Sequence, residues 1–481
     1  MSRHSTNPWL ILVLVCFAQF MVVLDATVVN VALPSIQKDL GLSEANLQWI
    51  VNAYTLVFGG FLLLGGRAGD LLGRKRLFLF GLVVFTTASL LDGLATSSGM
   101  LIGSRALQGL GAAFISPAAL AIVSTTFEEG AERAKALGVW AAIAIGGSAV
   151  GLIVGGALTQ LLSWPWIFFI NVPVGIAVFA ASLRYLPESR DEQMHRSFDV
   201  AGAISVTGGL MVLVYAIVSA QEHGWTSART LATFAAAAIL LVAFVVIEQR
   251  QRSPLVRLSI FRVRSLRAAN IAMFLVGAGL FAMFFFNTLY IQKVLGYGPL
   301  EAGLAFLPFT FGIIVSAGIA SRYAPRVGVR PIAIAGMSVT ILGLLYLTRI
   351  SVNGNYASDV LPALLLTALG LGCVFVPLTL IATTGLDDDD QGLASGIFNT
   401  SQQIGGALGL AILASFAASK TTDVLGSGGS QQEALVKGFH VAFAGGAVFM
   451  IIALVSFVAL LRARDVERIE AEAATAGIPV G

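Results

Sequence analysis

The sequence predicts an all-α polytopic membrane protein with about fourteen transmembrane helices, on the grounds of its composition, its apolar runs and its basic residues. Of its 481 residues, 57% are hydrophobic and only 11% are charged, whereas soluble domains carry about 25% charged residues. A soluble protein so poor in charge would expose a large apolar surface to water. Lipid is therefore the expected solvent for most of its outer surface.

The apolar runs give the number and order of the helices. A helix needs about 20 apolar residues to cross a hydrocarbon core of ~30 Å. Because most loops are short, neighbouring helices are expected to be antiparallel. A longer flexible outer loop is predicted only at 419–437, which is rich in Gly, Ser and Gln. The first run is too long for a cleavable signal peptide, so we expect it to remain as the first helix. The runs begin near residues 9, 47, 77, 101, 135, 166, 200, 229, 268, 301, 331, 360, 393 and 439.

The basic residues predict the orientation in the membrane. With a cytoplasmic N-terminus, the inner segments hold 22 of the 29 Lys and Arg residues and the outer segments hold 6. Loops rich in Lys and Arg stay on the cytoplasmic side. We therefore expect a multi-pass protein of the inner cell membrane with both termini in the cytoplasm.

Several other classes of protein are excluded by composition and motifs. A formal net charge of only +3 gives no indication of nucleic-acid binding. Cys16 and Cys373 lie in separate apolar runs, so we expect packing residues and not a disulfide or metal pair. The sequence has no Walker-type phosphate-binding string and no Ser/His/Asp or Cys/His constellation. We expect neither an enzyme nor a bound metal or cofactor.

Two charged residues stand out because they fall inside predicted spans. A charge at mid-membrane costs ~2.5–3.5 kcal/mol on insertion scales, so such a residue usually faces a cavity or a partner. Asp25 in the first helix and Arg105 in the fourth differ in depth by only ~6 Å at 1.5 Å per residue. A pair, direct or through Gln108 or water, is therefore allowed. Two interpretations stay open: Asp25 exchanges a proton or senses a cationic substrate, or the pair is a permanent structural link.

A second motif, GRAGDLLGRKR at 66–76, lies at the inner end of the second helix. Its glycines permit a sharp turn, and its acid can pair with nearby arginines or a helix N-terminus. The cluster is either a latch that holds two helices in one state or an ordinary basic turn. The candidate latch residues are Gly66, Asp70, Gly73, Arg74 and Lys75.

The predicted fifth helix carries a stripe of small residues. Gly147, Gly151 and Gly155 recur every four residues and share one face, and Gly156 follows. Such stripes let helices approach closely. The stripe is interpreted either as a pliable interface with the other half of the protein or as a purely structural packing face.

These strings resemble the motifs of the major facilitator superfamily. Segment 66–75 is similar to its signature G-x-L-A-D-R-x-G-R-K, with Ala68 and Leu71 in place of Leu and Arg, which weakens one latch contact. LIGSRALQGLGAA at 101–113 resembles the fourth-helix motif. GGSAVGLIVGG at 146–156 resembles the fifth-helix antiporter motif, with Leu152 in place of proline. LDATVVNVALP at 24–34 resembles the first-helix motif of the fourteen-helix drug:proton antiporters, the multidrug and antiseptic exporters.

The resemblance implies the major facilitator fold, two six-helix bundles with two additional linking helices. The implied divisions are an N-terminal bundle at 1–199, two additional helices at 200–248, a basic cytoplasmic linker at 249–267, a C-terminal bundle at 268–462 and a cytoplasmic tail at 463–481.

The resemblance also implies a function: a proton-coupled exporter of drugs or other amphiphilic small molecules, working by alternating access and functional as a monomer in the lipid bilayer. Alternatives are a proton-coupled importer, a lipid or metabolite exporter on the same fold and, more remotely, a non-transporting membrane sensor. Candidate polar residues of the midplane cavity are Asn30, Asn52, Tyr54, Asn287, Tyr290 and Gln402.

Overall fold

The computed structural model describes residues 7–127, 130–189, 199–251, 254–383 and 388–461. Within these ranges the regular structure is entirely helical, as expected in lipid, where a helix satisfies all its backbone hydrogen bonds internally. Thirteen segments are long and apolar enough to cross a membrane, and Gly146–Leu161 is a shorter apolar stretch. The predicted all-α polytopic fold is confirmed. The predicted tail at 463–481 lies outside the described residues.

The long helices are numbered α1 to α14 in chain order. Each begins within eight residues of its predicted start. Short helical turns cover Glu44–Leu47, Trp166–Phe169, Leu258–Arg262, Tyr290–Val294, Pro299–Ala305 and Tyr356–Val360. The long helices are α1 (Pro8–Leu40), α2 (Trp49–Leu72), α3 (Arg74–Gly93), α4 (Ser98–Thr126), α5 (Ala131–Leu161), α6 (Asn171–Tyr185), α7 (Val200–His223), α8 (Ala228–Arg250), α9 (Arg264–Leu289), α10 (Leu307–Val327), α11 (Val329–Leu347), α12 (Leu361–Thr383), α13 (Asp388–Gly426) and α14 (Gln431–Leu460).

The prediction of a long flexible loop at 419–437 is wrong. α13 continues to Gly426 and α14 already begins at Gln431, so only a tight turn connects them. Gly428 has φ of +86°, a conformation that glycine adopts without strain. The Ser430 hydroxyl then accepts the Glu433 N–H at 3.2 Å and caps α14. A helix end that extends beyond the hydrocarbon core is polar, so its composition alone does not distinguish it from a loop.

The chain forms two compact units. The first comprises Met1–Met211, Ile239–Leu255 and Pro299–Gly303, and the second comprises Val212–Ala238, Val256–Gly298 and Leu304–Gly481. The two additional helices, α7 and α8, are therefore divided between the units. In the second unit, Trp225 stacks on Phe234 and on Phe416 of α13, with ring centroids 6.3 and 6.4 Å apart.

In the first unit, α4 packs against α2 and α3, and α1 packs against α5. Close approach of α3 and α4 requires a glycine, since a Cβ on Gly111 would lie 2.6 Å from the backbone nitrogen of Phe85. The phenyl rings of Phe78 and Phe85 fill the core between these helices and are completely buried. Van der Waals packing of this kind holds membrane helices together, since lipid supplies little hydrophobic drive.

The second unit repeats this pattern of helix pairs. α12 packs against α10 and α11, as α4 does against α2 and α3, and α9 packs against α13, as α1 does against α5. Transporters built from two related halves show repeats of this kind.

Candidate functional site

Asp25 of α1 and Arg105 of α4 form an ion pair inside the first unit. Arg105 Nη1 lies 2.5 Å from Asp25 Oδ2. The exposed fraction is 0% for Asp25 and 1% for Arg105, so neither charge has access to water. Isolated charges would be very costly there, and pairing offsets much of that cost. The structure thus brings together the two charges that the sequence placed at similar depth.

Amide side chains complete the hydrogen bonds of the Asp25 carboxylate. Gln108 Nε2 donates to Asp25 Oδ1 at 2.8 Å, and Asn171 Nδ2 of α6 donates to the same oxygen at 2.9 Å. Gln108 also accepts a hydrogen bond from Arg105 Nη1, and its Nε2 donates to the Ser89 hydroxyl of α3 at 2.7 Å. Side chains of α4 and α6 therefore bind the carboxylate of α1, and Ser89 of α3 joins the network through Gln108.

The Arg105 guanidinium has further partners besides the acid. Its Nε donates to the Ile50 carbonyl at 3.2 Å. It lies over the ring of Tyr54, 4.4 Å from the centroid, and 5.6 Å from the centroid of Phe168. Cation–π contacts in a desolvated site are worth up to about 2 kcal/mol. Arg105 therefore keeps favourable contacts when Asp25 is neutral.

A second buried acid lies near the same arginine. Asp92, in the last turn of α3, is completely buried, and its Oδ1 lies 2.5 Å from the Ser104 hydroxyl of α4. Its Oδ2 has no hydrogen-bond partner among the described residues. Arg105 and Asp25 both act on it electrostatically.

The candidate latch joins the start of α3 to the end of α6. Gly73 separates α2 from α3 with φ of +113°, a conformation that favours glycine. Lys75 Nζ donates to the carbonyls of Leu183 and Leu186 at 2.8 and 2.7 Å, and the Lys75 N–H donates to Glu188 Oε1 at 3.1 Å. These contacts lie within the first unit.

The remaining latch residues make local contacts. Arg74 Nη2 lies 2.8 Å from Asp70 Oδ1, one helical turn away in sequence, and the Arg74 N–H donates to the Ser189 carbonyl at 2.9 Å. A Cβ on Gly66 would make only an ordinary contact, 3.6 Å from Pro117. Gly66 is thus the latch position with the weakest steric requirement for glycine.

The glycine stripe of α5 packs mainly against α1. A Cβ on Gly147 would lie 3.2 Å from Phe20, and one on Gly151 or Gly155 would overlap Thr27 or Val28. A Cβ on Gly156 would lie 2.6 Å from the carbonyl oxygen of Pro299, also in the first unit. Leu152, which stands in place of the motif proline, keeps its backbone N–H, and α5 runs through it as one helix.

Three candidate cavity residues lie in the first unit. Asn30 Nδ2 donates to the Ala26 carbonyl at 3.2 Å within α1. Asn52 is completely buried, and in the described part of the chain neither atom of its amide has a hydrogen-bond partner. The hydroxyl of Tyr54 is also without one there. Of these three residues, Asn52 and Tyr54 combine burial with unused polar atoms.

The other three candidate cavity residues lie in the second unit. Asn287 Nδ2 donates to the Met283 carbonyl at 3.0 Å, and the Tyr290 hydroxyl donates to the Ser351 carbonyl at 2.9 Å. Gln402 lines a cavity of about 260 Å³ that the other two do not border. That cavity is lined by Met273, Phe375, Thr379, Thr383, Ser395, Phe398, Asn399 and Gln402.

Four polar residues of these sites did not emerge from the sequence. Ser89 and Asn171 are neutral, and neutral polar residues are common enough in membrane helices to give no signal. Asp92 and Glu188 lie next to predicted loops, where an acid is expected on the surface. For Asp92 the sequence held one signal. Ser104 directly precedes Arg105 in the fourth helix, so a hydroxyl that can bond a buried acid lies beside the buried arginine.

Comparison with known proteins places the chain in a family. The sequence model described as Major Facilitator Superfamily matches residues 15–410. Puromycin resistance protein pur8 of Streptomyces alboniger is 40% identical over 451 residues, which are 92% of this chain and 89% of that protein. Cephamycin export protein CmcT of Amycolatopsis lactamdurans is 41% identical over 446 residues, 92% of this chain and 90% of that protein.

The fold is likewise that of solved transporters. The crystal structure of the nucleoside transporter NupG has a TM-score of 0.68 and 11% identity, covering 95% of this chain and 100% of that one. At this identity the likeness concerns the fold alone. Family match and relatives agree that the protein is a transporter and not an enzyme. The chain belongs to the major facilitator superfamily of multi-pass membrane transporters.

Proposed function

We propose that this protein exports amphiphilic small molecules, antibiotics among them, in exchange for protons by alternating access. The observation that carries the proposal is the Asp25–Arg105 pair, an acid and its counter-ion that are 0% and 1% exposed. Intramembrane acids in such surroundings are the usual carriers of coupling protons.

Protonation of Asp25 would couple to a change of conformation. A proton on the carboxyl removes the charge that Arg105 Nη1, Gln108 Nε2 and Asn171 Nδ2 all bind. Removing one partner of a buried pair costs about 3–5 kcal/mol. Because α1, α4 and α6 meet at this carboxylate, a proton there favours any arrangement in which these helices separate and Arg105 finds other partners.

The energy available from protons is adequate for export. Each unit charge that crosses a potential of 100 mV releases ~2.3 kcal/mol, and 1.36 kcal/mol corresponds to a factor of ten. One proton per substrate therefore supports an outward gradient of roughly 50-fold for a neutral substrate at that potential.

The class of substrate is inferred from the relatives and from one cavity. Relatives covering about nine-tenths of the chain include a puromycin resistance protein and a cephamycin export protein. In the second unit, the cavity near Gln402 combines Phe375 and Phe398 with hydroxyl and amide groups. Aromatic rings beside hydroxyl and amide groups offer contacts to both the apolar and the polar part of an amphiphile.

The location and organisation form part of the proposal. The excess of basic residues on one side supports a place in the cell membrane with both termini in the cytoplasm. The bundles at 1–199 and 268–462, the two additional helices and the linker stay a prediction, as does function as a monomer.

The test is uptake into inverted vesicles or proteoliposomes with an imposed pH difference. Puromycin, lincomycin and ethidium serve as probes, each with and without a protonophore. The expected result is accumulation that the protonophore abolishes and that empty vesicles do not show. If the reconstituted protein moves none of these probes under a pH difference, the proposed function is wrong.

A further inference from the structure

We propose that Asp92 is a second proton-binding carboxyl, which holds a proton in the described state and passes it to Asp25. The inference rests on the proposed function, because it assigns a further step to the same proton pathway. Its geometric basis is the set of oxygen atoms around one hydroxyl group, that of Ser104.

The Ser104 hydroxyl has more acceptors than it can serve. Its oxygen lies 2.8 Å from the Met100 carbonyl, 3.1 Å from the Leu101 carbonyl and 2.5 Å from Asp92 Oδ1. A hydroxyl has one hydrogen, and carbonyls and carboxylates only accept. If Asp92 were ionised, three acceptors would compete for a single hydrogen.

A neutral Asp92 resolves this conflict. Its carboxylic O–H then donates to the Ser104 oxygen, and the Ser104 hydrogen is free to bond the Met100 carbonyl. The separation of 2.5 Å lies at the short end of the range for O–H···O bonds. Asp92 is completely buried, and its Oδ2 has no hydrogen-bond partner among the described residues, a position in which a carboxylate would be poorly stabilised.

One arginine serves two acids here. Arg105 is ion-paired with Asp25, and it also acts electrostatically on Asp92. It follows Ser104, the partner of Asp92, directly in α4, so both acids lie near the same turn of that helix. With one guanidinium, the site favours one ionised and one neutral carboxyl.

The surroundings of α3 supply few other titratable groups near Asp92. α4 contributes Arg105, α1 contributes Asp25, and α2 contributes Tyr54, whose ring lies against Arg105. The short helix Trp166–Phe169 has no titratable side chain. The titratable groups of α6, Arg184 and Tyr185, lie at its C-terminal end, near the start of α3 and not its end.

Asp92 also lies nearer to an accessible end of the unit than Asp25 does. It occupies the last turn of α3, and the Leu94 side chain two residues later is 53% exposed. The Asp92 carboxyl contacts Ser104, which precedes Arg105 in α4, so it lies about 1.5 Å nearer that end than Arg105, which marks the level of Asp25. In the proposed topology this end faces outward, so an incoming proton meets Asp92 first.

The step conserves protons and charge. The Asp92 carboxylic acid and the Asp25 carboxylate become the Asp92 carboxylate and the Asp25 carboxylic acid. Arg105 leaves Asp25, which is now neutral, and pairs with Asp92, which is now charged. Asp92 then takes a proton from outside.

The first experiment compares two modes of transport in proteoliposomes for whichever of puromycin, lincomycin and ethidium the wild type moves. Asp92→Asn keeps a hydrogen-bond donor for Ser104 and mimics the neutral acid. We expect it to keep substrate counterflow, which needs no net proton transfer, and to lose pH-driven uptake by about 10²-fold, as expected when a proton-transfer group is removed. The matched control is Asp39→Asn. Asp39 is an acid of the same unit that accepts from Trp164 Nε1 at 2.8 Å, and the variant should keep both modes of transport.

The second experiment reads the proton directly and needs no substrate. The infrared spectrum of the purified wild type at neutral pH should show a protonated-carboxyl band that Asp92→Asn lacks. Ser104→Ala, which keeps the acid and removes its partner, should shift the band, and it replaces Asp92→Asn should that variant fail to fold. Wild-type behaviour of Asp92→Asn in pH-driven uptake, or absence of the band, would overturn the proposal. Failure of the wild type to transport with Asp25 intact would instead count against the proposed function.

Discussion

At the scale of single residues, the protein concentrates its polar interactions on one carboxylate. Asp25 is completely buried and accepts from Arg105, Gln108 and Asn171. Hydrogen bonds to charged groups contribute about 1.5–3 kcal/mol each, and a buried donor left without an acceptor costs about as much again. Substitutions here should therefore be far more severe than surface changes.

The first prediction concerns the pair as a unit. Arg105→Gln removes the counter-ion of Asp25 in a buried site, so we expect a loss of about 3–5 kcal/mol in stability. The double variant Asp25→Asn with Arg105→Gln removes both charges and should lose less than the sum of the two single variants, by about 0.5–3 kcal/mol. Thermal unfolding in detergent measures all three, and additive losses would show that the pair contributes no coupling energy.

The second prediction tests a residue that the sequence did not single out. Asn171→Leu removes one donor to Asp25 Oδ1 and leaves Gln108 as the other. We expect a loss of about 1.5–3 kcal/mol in stability. The control Asn30→Leu removes only a hydrogen bond within α1 and should change thermal stability by less. Equal losses in the two variants would show that Asn171 does not support the carboxylate.

The core of this site could be predicted from the sequence, and its surroundings could not. Asp25 and Arg105 were visible because charges inside apolar runs are costly and rare, and helix rise gave their similar depth. Ser89 and Asn171 complete the network, but a serine or asparagine in a span is cheap, so neither carries a signal. Asp92 was missed because it ends a helix beside a loop, where acids are normally solvated.

At the scale of elements, the glycines decide how closely the helices approach. Gly155 of α5 lies against Val28 of α1, whereas nothing lies within 4 Å of the position a Cβ would take at Gly146. The same helix thus contains a packed glycine and an unpacked one. The stripe could be predicted from its four-residue spacing, but its partner helix could not, because spacing alone does not say which neighbour it faces.

The contrast between Gly146 and Gly155 predicts that alanine substitutions at these positions change stability in opposite directions. Alanine is favoured over glycine inside a helix by about 1 kcal/mol, so Gly146→Ala should be neutral or stabilising. Gly155→Ala forces α1 and α5 apart and should destabilise by about 1–3 kcal/mol. Thermal unfolding of the two purified variants measures the difference. Stabilisation in both would mean that α1 and α5 do not pack as described.

The latch offers a second comparison at this scale. Lys75 Nζ binds two carbonyls at the end of α6, whereas Arg76, with 75% of its side chain exposed, lies 3.6 Å from Glu188. Lys75→Met should lose about 1.5–3 kcal/mol and Arg76→Met at most about 1 kcal/mol, as measured by thermal unfolding. If Arg76→Met proved the more damaging, the assignment of the latch to Lys75 would be wrong.

At the scale of the whole molecule, the number and order of the helices were predictable, and the ends of α13 and α14 were not. Apolar length fixes the spans, because the bilayer sets one thickness for all of them. Beyond that thickness helices continue on their own hydrogen bonds, and composition cannot distinguish an extended helix from a loop. The prediction at 419–437 failed for that reason.

The proposed topology predicts labelling from one side only. In a background with Cys16 and Cys373 replaced, a cysteine at Ser427 should react with an impermeant maleimide in intact cells. A cysteine at Gly328, in the turn between α10 and α11, should react only after permeabilisation. The reverse pattern would place both termini outside and invert the direction of export.

The most direct test of the central claim, that Asp25 carries the coupling proton, follows protons and substrate together. Proteoliposomes with a trapped pH indicator are loaded with a probe that the wild type moves, and efflux is started without an imposed pH gradient. The wild type should move protons opposite to the probe, whereas Asp25→Asn should exchange probe for probe at a comparable rate and move no protons. Proton movement in Asp25→Asn equal to that of the wild type would contradict the account.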